Sequence, residues 1–301
     1  MISIVIPALN EESAIVSTVI SVQRTMEEAL RLPYEIIVVD DGSSDRTAPL
    51  ARDSGAKIVS HPHNVGYGQS LKDGILAAQY DIIVITDADG TYPIESIPQL
   101  VREYHKGFDM IVAARRGEHY RESIIKAPLR KILKIIVEFT ATRKIPDINS
   151  GLRVFSRTTV IPYFSHLCDT FSFTTSMTLA YMMNGRFVHY VPIDYFERNG
   201  KTKVRLFRDS MRTMQYIIEA ATYYNPLKVF AFFSFICLFL AGLSLVSAFI
   251  FQLASLFVLC VGAILLSLLI MGLGLIAVLL KQIMDGDRQA SNCATNRIND
   301  K

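Results

Sequence analysis

Apolar positions along this 301-residue chain fall into two kinds of run: short ones that end in acids, and long ones that carry no charge. The short runs are Ile2 to Ile6, the stretch after Glu35 that ends at Asp40, the stretch after Asp81 that ends at Asp87, and Met110-Ile-Val-Ala-Ala. Because they are close to continuously hydrophobic, they read as strands covered on both faces, as in a mostly parallel sheet. Helical stretches between them complete an α/β pattern. The long runs are Val229 to Phe251 and Leu253 to Leu280, neither of which contains a charged residue. Each exceeds the roughly 20 residues a helix needs to cross a bilayer. Only the neighbourhood Gln252-Leu-Ala-Ser255 is available to turn the chain between them, so the pair predicts a transmembrane helical hairpin. Two buried core helices of a soluble protein are the alternative, and these lengths disfavour it.

Two further segments alternate basic and apolar residues. Lys126, Arg130, Lys131 and Lys134 interleave with Ile124, Ile125, Leu129, Ile132, Leu133, Ile135, Ile136 and Val137. This is the pattern of a helix lying on an anionic leaflet, or of an ordinary helix packed on the sheet with its charges in water. From Lys203 to Tyr224, Arg205, Arg208 and Arg212 share a second such helix with Leu206, Phe207, Met211, Met214, Ile217 and Ile218, and Asn225-Pro226 breaks it before the first span. The expected division is therefore a catalytic-size domain over 1–203, an interfacial helix over 204–227, the two spans within 228–281 and a polar tail over 282–301.

Composition sharpens this picture. Half of the residues are hydrophobic and mean hydropathy is positive, at +0.30, with the excess near the C-terminus. Lys228 and Lys281 flank the hairpin on one side, which predicts that the large N-terminal domain and both termini are cytoplasmic. Met1 leads directly into a strand, so no signal peptide is expected. A net charge of +3 is too small to suggest nucleic acid as a partner. Cys168, Cys237, Cys260 and Cys293 form neither a zinc spacing nor a disulfide framework. His61 and His63 read as loop residues, and Lys72 as facing water.

The chemistry sits where the strands end. Asp81-Ile-Ile-Val-Ile-Thr-Asp87-Ala88-Asp89 delivers two carboxylates, one residue apart, into a turn at Gly90. Ligands of open α/β sheets bind just beyond strand carboxyl ends. Hard cations such as Mg²⁺ take one or two carboxylates together with substrate phosphates, so the pair reads either as a metal–phosphate site or as a solvated loop. A second strand ends in Asp40-Asp41-Gly42-Ser43-Ser44-Asp45, with Asp45 placed to cap a helix, and the first ends in Pro7-Ala-Leu9-Asn10-Glu11-Glu12. Three acidic strand ends at one rim repel one another without a cation or donors to compensate them.

In this order, Pro7 to Glu12, Asp40 to Thr47, Asn64-Val-Gly66-Tyr67-Gly68, Thr86 to Pro93 and Asn149-Ser150-Gly151-Leu152-Arg153 resemble the motifs of family 2 glycosyltransferases, specifically the dolichyl- or polyprenyl-phosphate sugar synthases. The resemblance covers residues 1 to 205. It implies a GT-A fold that binds a UDP- or GDP-linked sugar through Mg²⁺ or Mn²⁺ and moves the sugar, with inversion, onto a lipid phosphate. Pro7, Leu9 and Glu11 would line the base and ribose pocket, Asp40 and Asp41 would lie by the nucleoside, and Asp87, Ala88 and Asp89 would meet the donor, the two aspartates as metal ligands. Thr91 stands where many dolichyl-phosphate mannose synthases have Gln, a departure that bears on metal contact there. Arg115, or its neighbour Arg116, matches an arginine near the transferring group. In the acceptor-side motif, Ser150 and Arg153 would meet phosphate oxygens and Asp147 would be a base or an orienting carboxylate. An internal salt bridge, for instance with Asp147, is the other reading of Arg153. Arg130, Arg198, Lys201 and Lys203 would add phosphate contacts, the last three on a basic loop that can close over the site.

The acceptor decides what the site must supply. A lipid monophosphate is already ionised near neutral pH, with a second pKa of about 6, so its oxygen can attack without a base. Cations and orientation then matter more than proton removal. The chain has no Trp and so lacks the Gln-x-x-Arg-Trp motif of processive synthases, which favours a single transfer of a hexose or N-acetylhexosamine. Alternatives are a transferase using diacylglycerol or a lipid-linked saccharide, or a non-catalytic membrane subunit of a glycan pathway. Gly242, Ser244, Gly262, Gly272 and Gly274 permit close packing within the hairpin or between protomers of a homo-oligomer.

Overall fold

In the computed structural model the described residues are 1–116, 138–139, 143–196, 215, 218–219 and 221–299. Arg130, Arg198, Lys201, Lys203, the whole Ile124 to Val137 segment and most of the Lys203 to Tyr224 segment lie outside them. The chain divides into two compact units, Met1–Ile217 and Ile218–Lys301.

The N-terminal unit is built on a seven-stranded sheet in the order β3-β2-β1-β4-β6-β5-β7. Its strands are β1 (Ile2–Ala8), β2 (Tyr34–Asp40), β3 (Lys57–Ser60), β4 (Ile82–Ile85), β5 (Met110–Arg116), β6 (Arg153–Ser156) and β7 (Val188–Asp194). β1 pairs in parallel with both β2 and β4. All seven residues of β1 are buried, as the continuous apolar run requires. The first departure from a parallel sheet is β6, which runs antiparallel between β4 and β5. Nothing in Arg153-Val-Phe-Ser encodes a direction.

Helices packed on the sheet include α1 (Ile15–Thr25), α2 (Thr47–Asp53), α3 (Tyr67–Ala77), α4 (Ile97–Tyr104) and α5 (Phe173–Met183). Along α1 the residues Ile15, Val19 and Val22 are fully buried, and Met26 continues the stripe one turn on. This i, i+4, i+7 spacing puts one face on the sheet. Burial of each such side chain contributes about 1.5–3 kcal/mol relative to exposure. Arg31, at φ 50°, ends the last turn. Along α5 every residue from Phe173 to Met182 is buried, so it is an internal helix.

The C-terminal unit is a hairpin of α6 (Pro226–Phe251) and α7 (Ala254–Asn299). Asn225 caps α6 through its side-chain oxygen, which accepts the Lys228 N–H, and Pro226 opens the helix, where its missing N–H costs nothing. Gln252, left-handed at φ 55°, makes the turn. Only 17% of the most apolar window of α6 and 11% of that of α7 is buried, and Phe249, Val258 and Leu265 are mostly exposed. A soluble protein buries its core helices; these two present their hydrocarbon outward, and the unit is a membrane anchor. Between the helices the Ser234 and Ser267 hydroxyls lie 2.8 Å apart, and each donates to the other's backbone carbonyl. Gly274 lies against Phe230. Lys281 Nζ donates to the Tyr224 carbonyl at 2.5 Å, which puts Lys281 at the same end of the hairpin as Lys228. Past Leu280 the chain stays helical to Asn299, where the sequence suggested only a polar tail.

Candidate active site

The loops after β1 and β2 lock together before they form a wall. Asp41 N donates to the Ala8 carbonyl at 2.9 Å. Asn10, left-handed at φ 50°, accepts the Ser44 N–H at 2.8 Å and donates its own N–H to Ser43 Oγ. Glu11 N donates to Thr47 Oγ1, and Glu12 N to Asp45 Oδ2. Asp45 also accepts the Thr47 N–H in the first turn of α2, so one side chain ties both loops to that helix start.

Between these loops and the β4 end is a cleft of about 330 Å³. Pro7, Ala8, Leu9 and Glu11 line one side, and Asp87, Ala88 and Asp89 line another. Asp41, Asn64, Gly66, Tyr67 and Ser70 close a third, and Asn149, Thr170, Phe171 and Thr174 complete it. Asp41 reaches the cleft while its carboxylate accepts the N–H groups of Val65 and Gly66, at 2.9 and 3.0 Å. Asp40 is buried outside this lining and accepts the Ser43 N–H, closing its own turn.

The two aspartates after β4 are held differently. Asp87 Oδ1 accepts the Tyr67 hydroxyl at 2.9 Å. Gly151 sits against the same carboxylate so tightly that a Cβ there would stand 2.6 Å from Oδ2. Burial pushes the Tyr67 phenol well above its ordinary range, with the Asp87 charge adding to the shift, so the hydroxyl stays a donor. Asp89 Oδ1 accepts both the N–H and, at 2.6 Å, the hydroxyl of Thr91. Thr91, fully buried, thus orients Asp89.

Arg115 and Asp147 form a bidentate pair, Nε to Oδ2 at 2.7 Å and Nη2 to Oδ1 at 2.9 Å. Burial raises the Asp147 carboxyl, but the Arg115 hydrogen bonds and charge, with the Arg115 and Asn149 N–H groups, outweigh it and hold the group below the usual carboxylate range. The Arg115 guanidinium also lies 5.3 Å from the Tyr195 ring centre. Arg116 points the other way, to an exposed pair with Asp194. Arg115 is therefore the inward member of the doublet.

Two expectations for the acceptor-side motif are corrected. Arg153 is fully buried and donates to the Ser150 and Ile148 carbonyls and to Thr178 Oγ1, at 2.8, 2.9 and 2.8 Å. These donors are spent inside the fold, and Asp147 is engaged by Arg115 instead. Ser150 is also fully buried, and its hydroxyl donates to the Ala113 carbonyl. The reason is topological: this motif feeds β6, which is inserted between two strands, so its polar groups satisfy the buried backbone. Of the motif, Asn149 is the residue that lines the cleft.

Lys72 is corrected as well. It is buried, and its ammonium donates to the Leu167 carbonyl and to Asp169. Together with the close approach of Gly66 and Gly68 to Asp169 and Cys168, this seats the 168–171 loop on the start of α3. That loop supplies Thr170 and Phe171, which sequence reasoning missed; the glycine pair was the signal, but it does not say what packs on it. Phe171 stacks on Tyr67, with ring centres 5.8 Å apart.

No group of three or more His, Cys, Asp or Glu that could hold a metal occurs among the described residues. Two hard carboxylates on one wall of a cleft nevertheless fit Mg²⁺ or Mn²⁺, ions that complete their shells with substrate phosphate and water.

Several known proteins are similar to this chain. Residues 3–164 match the family model described as glycosyl transferase family 2. Undecaprenyl-phosphate 4-deoxy-4-formamido-L-arabinose transferase of Salmonella choleraesuis (strain SC-B67) is 26% identical over 235 residues, covering 76% of this chain and 69% of that protein. The enzyme of the same description from Edwardsiella ictaluri (strain 93-146) is 26% identical over 241 residues, covering 77% and 71%. Among solved structures, glucosyl-3-phosphoglycerate synthase from Mycobacterium tuberculosis, in complex with Mn²⁺, uridine diphosphate and glucosyl-3-phosphoglycerate, superposes with a TM-score of 0.57 at 24% identity, covering 73% of this chain and 80% of that one. The same synthase with Mg²⁺ and uridine diphosphate gives 0.54 at 22% identity, covering 73% and 79%. These likenesses establish the GT-A fold. With residues 3–164 of its 301 inside the family model, the chain belongs to glycosyl transferase family 2 and is a glycosyltransferase.

Proposed function

We propose that this enzyme transfers one hexose or N-acetylhexosamine, with inversion, from a UDP- or GDP-linked donor to a polyprenyl monophosphate, dolichyl or undecaprenyl, at the cytoplasmic membrane face. The observation that carries the reading is the pair Asp87 and Asp89 on one wall of a cleft, in a chain anchored by an apolar hairpin. The curated relatives, named for undecaprenyl phosphate, support the acceptor class. Metal-bound, uridine-diphosphate-bound neighbours support the donor class.

In this reading an oxygen of the lipid phosphate attacks the anomeric carbon from the face opposite the diphosphate. The carbon–oxygen bond to the diphosphate breaks, and its electron pair leaves with the nucleoside diphosphate. Mg²⁺ or Mn²⁺ held by Asp87 and Asp89, when bound, supplies charge neutralisation at that leaving group. Tyr67 and Thr91 fix the two carboxylates so that they need not reorganise. Asp147, tied to Arg115 and held low, is unsuited to proton removal and orients Arg115 instead. An already anionic acceptor needs no base, whereas a hydroxyl acceptor such as diacylglycerol does.

Lys228 and Lys281 at one hairpin end support a cytoplasmic placement of both termini. Incubation of the purified protein with a panel of nucleotide sugars, Mg²⁺ or Mn²⁺, and undecaprenyl or dolichyl phosphate tests the reading, with the product mass naming the sugar. Asp87→Ala and Asp89→Ala are each expected to slow transfer by about 10²–10³-fold. Transfer at the normal rate in either variant would sink the proposal.

A further inference from the structure

Three elements bring titratable groups together behind the Asn64–Gly68 turn. His61, directly after β3, has its Nδ1 3.0 Å from Asp41 Oδ1 at the end of β2, and its Nε2 3.1 Å from Asp73 Oδ2 on α3. The ring is largely buried, with 12% of the side chain exposed, and Asp41 is more so, at 6%. The backbone fixes the ring's origin, since His61 N donates to the Asp40 carbonyl. With a carboxylate oxygen at hydrogen-bond distance from each ring nitrogen, the ring is placed to donate on both sides. Gln69 Nε2 donates to the outer carboxylate, Asp73, at 3.0 Å.

The inner carboxylate leads to the cleft. Asp41 takes His61 on Oδ1 together with Val65 N, and Gly66 N on Oδ2. Val65 and Gly66 directly precede Tyr67, whose hydroxyl holds Asp87. The run Asp73, His61, Asp41, Gly66, Tyr67, Asp87 is thus continuous, linked by hydrogen bonds and by one peptide bond. We propose that His61 is a positioning residue that donates from both ring nitrogens, fixing Asp41 and through it the turn that aims Tyr67 at Asp87. The inference rests on the donor-site reading of the cleft and deepens it: His61 touches no substrate and sets donor affinity through Asp41.

The test uses the full-length protein in detergent micelles. With ¹⁵N-labelled histidine, the ring resonances lost in His61→Phe are expected, in the unmodified protein, to show two protonated nitrogens. Kinetically, His61→Phe, which keeps a ring but no donor, is expected to raise the donor KM about tenfold and leave the acceptor KM within about twofold, as loss of hydrogen bonds to a charged group requires. His61→Arg, able to donate to two carboxylates, is expected to restore the donor KM. Should His61→Phe fail to fold, His61→Gln, which keeps a donor nitrogen on one side only, supplies both the assignment and the KM comparison, with a smaller rise expected. One unprotonated ring nitrogen, or an unchanged donor KM, overturns the inference. If no sugar reaches polyprenyl phosphate in any variant, the function proposed above fails, while the nitrogen spectrum and calorimetric binding of uridine or guanosine diphosphate still decide the role of His61.

Discussion

Each carboxylate at the sheet edge is defined by what it accepts. Asp40 closes its own turn, Asp41 organises the next one, Asp87 takes a phenol, Asp89 takes a threonine, and Asp147 takes an arginine. The phenol is the easiest to remove cleanly. Tyr67→Phe keeps the stack on Phe171 and loses the hydrogen bond to Asp87, so the donor KM is expected to rise about tenfold with little change in melting temperature. Because burial holds the Tyr67 hydroxyl protonated, the alkaline limb of the wild-type rate profile should contain no step from it below about pH 10. Asp147 makes a prediction about stability. Its folded pKa lies below the unfolded value of about 3.9, so its contribution is present above that pH and is lost as pH falls through the folded value. Asp147→Asn is expected to lower stability by about 3 kcal/mol near neutral pH, by uncoupling the partly buried Arg115, and to flatten the acid side of the stability curve. Melting temperature measured from pH 7 to pH 3 checks both; a parallel pair of curves would contradict the assignment. Asp87 and Asp89 were legible in the sequence because an apolar strand ends on them. Ser150 and Arg153 were not, because a polar residue at the entry to a strand that becomes central looks the same as one that meets ligand.

Loops carry the site, and each wall needs the element behind it. The Gly66-x-Gly68 turn illustrates how far spacing can be read. A Cβ on Gly68 would overlap the Cys168 carbonyl, so the residue is glycine because another loop rests on it. Gly68→Ala is expected to cost about 1–3 kcal/mol through overpacking and to weaken donor binding as Thr170 and Phe171 shift. Gly242→Ala, where nothing lies within 4 Å, is expected to leave both unchanged within error. Thermal melts and nucleotide calorimetry of the two variants make the comparison; equal behaviour would mean that the 168–171 loop does not depend on this seat. The strands themselves were legible: β1, β2 and β5 lie where the apolar runs place them, each extended by two residues, and β4 covers the four apolar residues Ile82–Ile85 and stops before Thr86. The 168–171 wall was not, since 97 residues separate Lys72 from the Asp169 it binds, and no local pattern records that distance.

For the molecule as a whole, membrane anchoring follows from two helices whose apolar surface is mostly left exposed among the described residues. The proposed cytoplasmic placement of the termini makes a separate prediction. In intact cells a membrane-impermeant maleimide is expected to label Ser255→Cys at the hairpin turn and to spare the native Cys293 until the cells are opened; the reverse pattern would invert the topology. The sequence by itself determined the mostly parallel α/β unit, the hairpin and the acidic strand ends. Those depend on hydrophobic runs and on residues adjacent along the chain, where burial and position are read together. Tertiary structure alone decided that Arg115, not Arg153, pairs with Asp147, that His61 bridges Asp41 and Asp73, and that Lys72 is buried under a cleft wall. These are pairings between distant segments. A charged side chain takes whichever partner the fold brings within about 3 Å, and only the folded chain sets which one arrives.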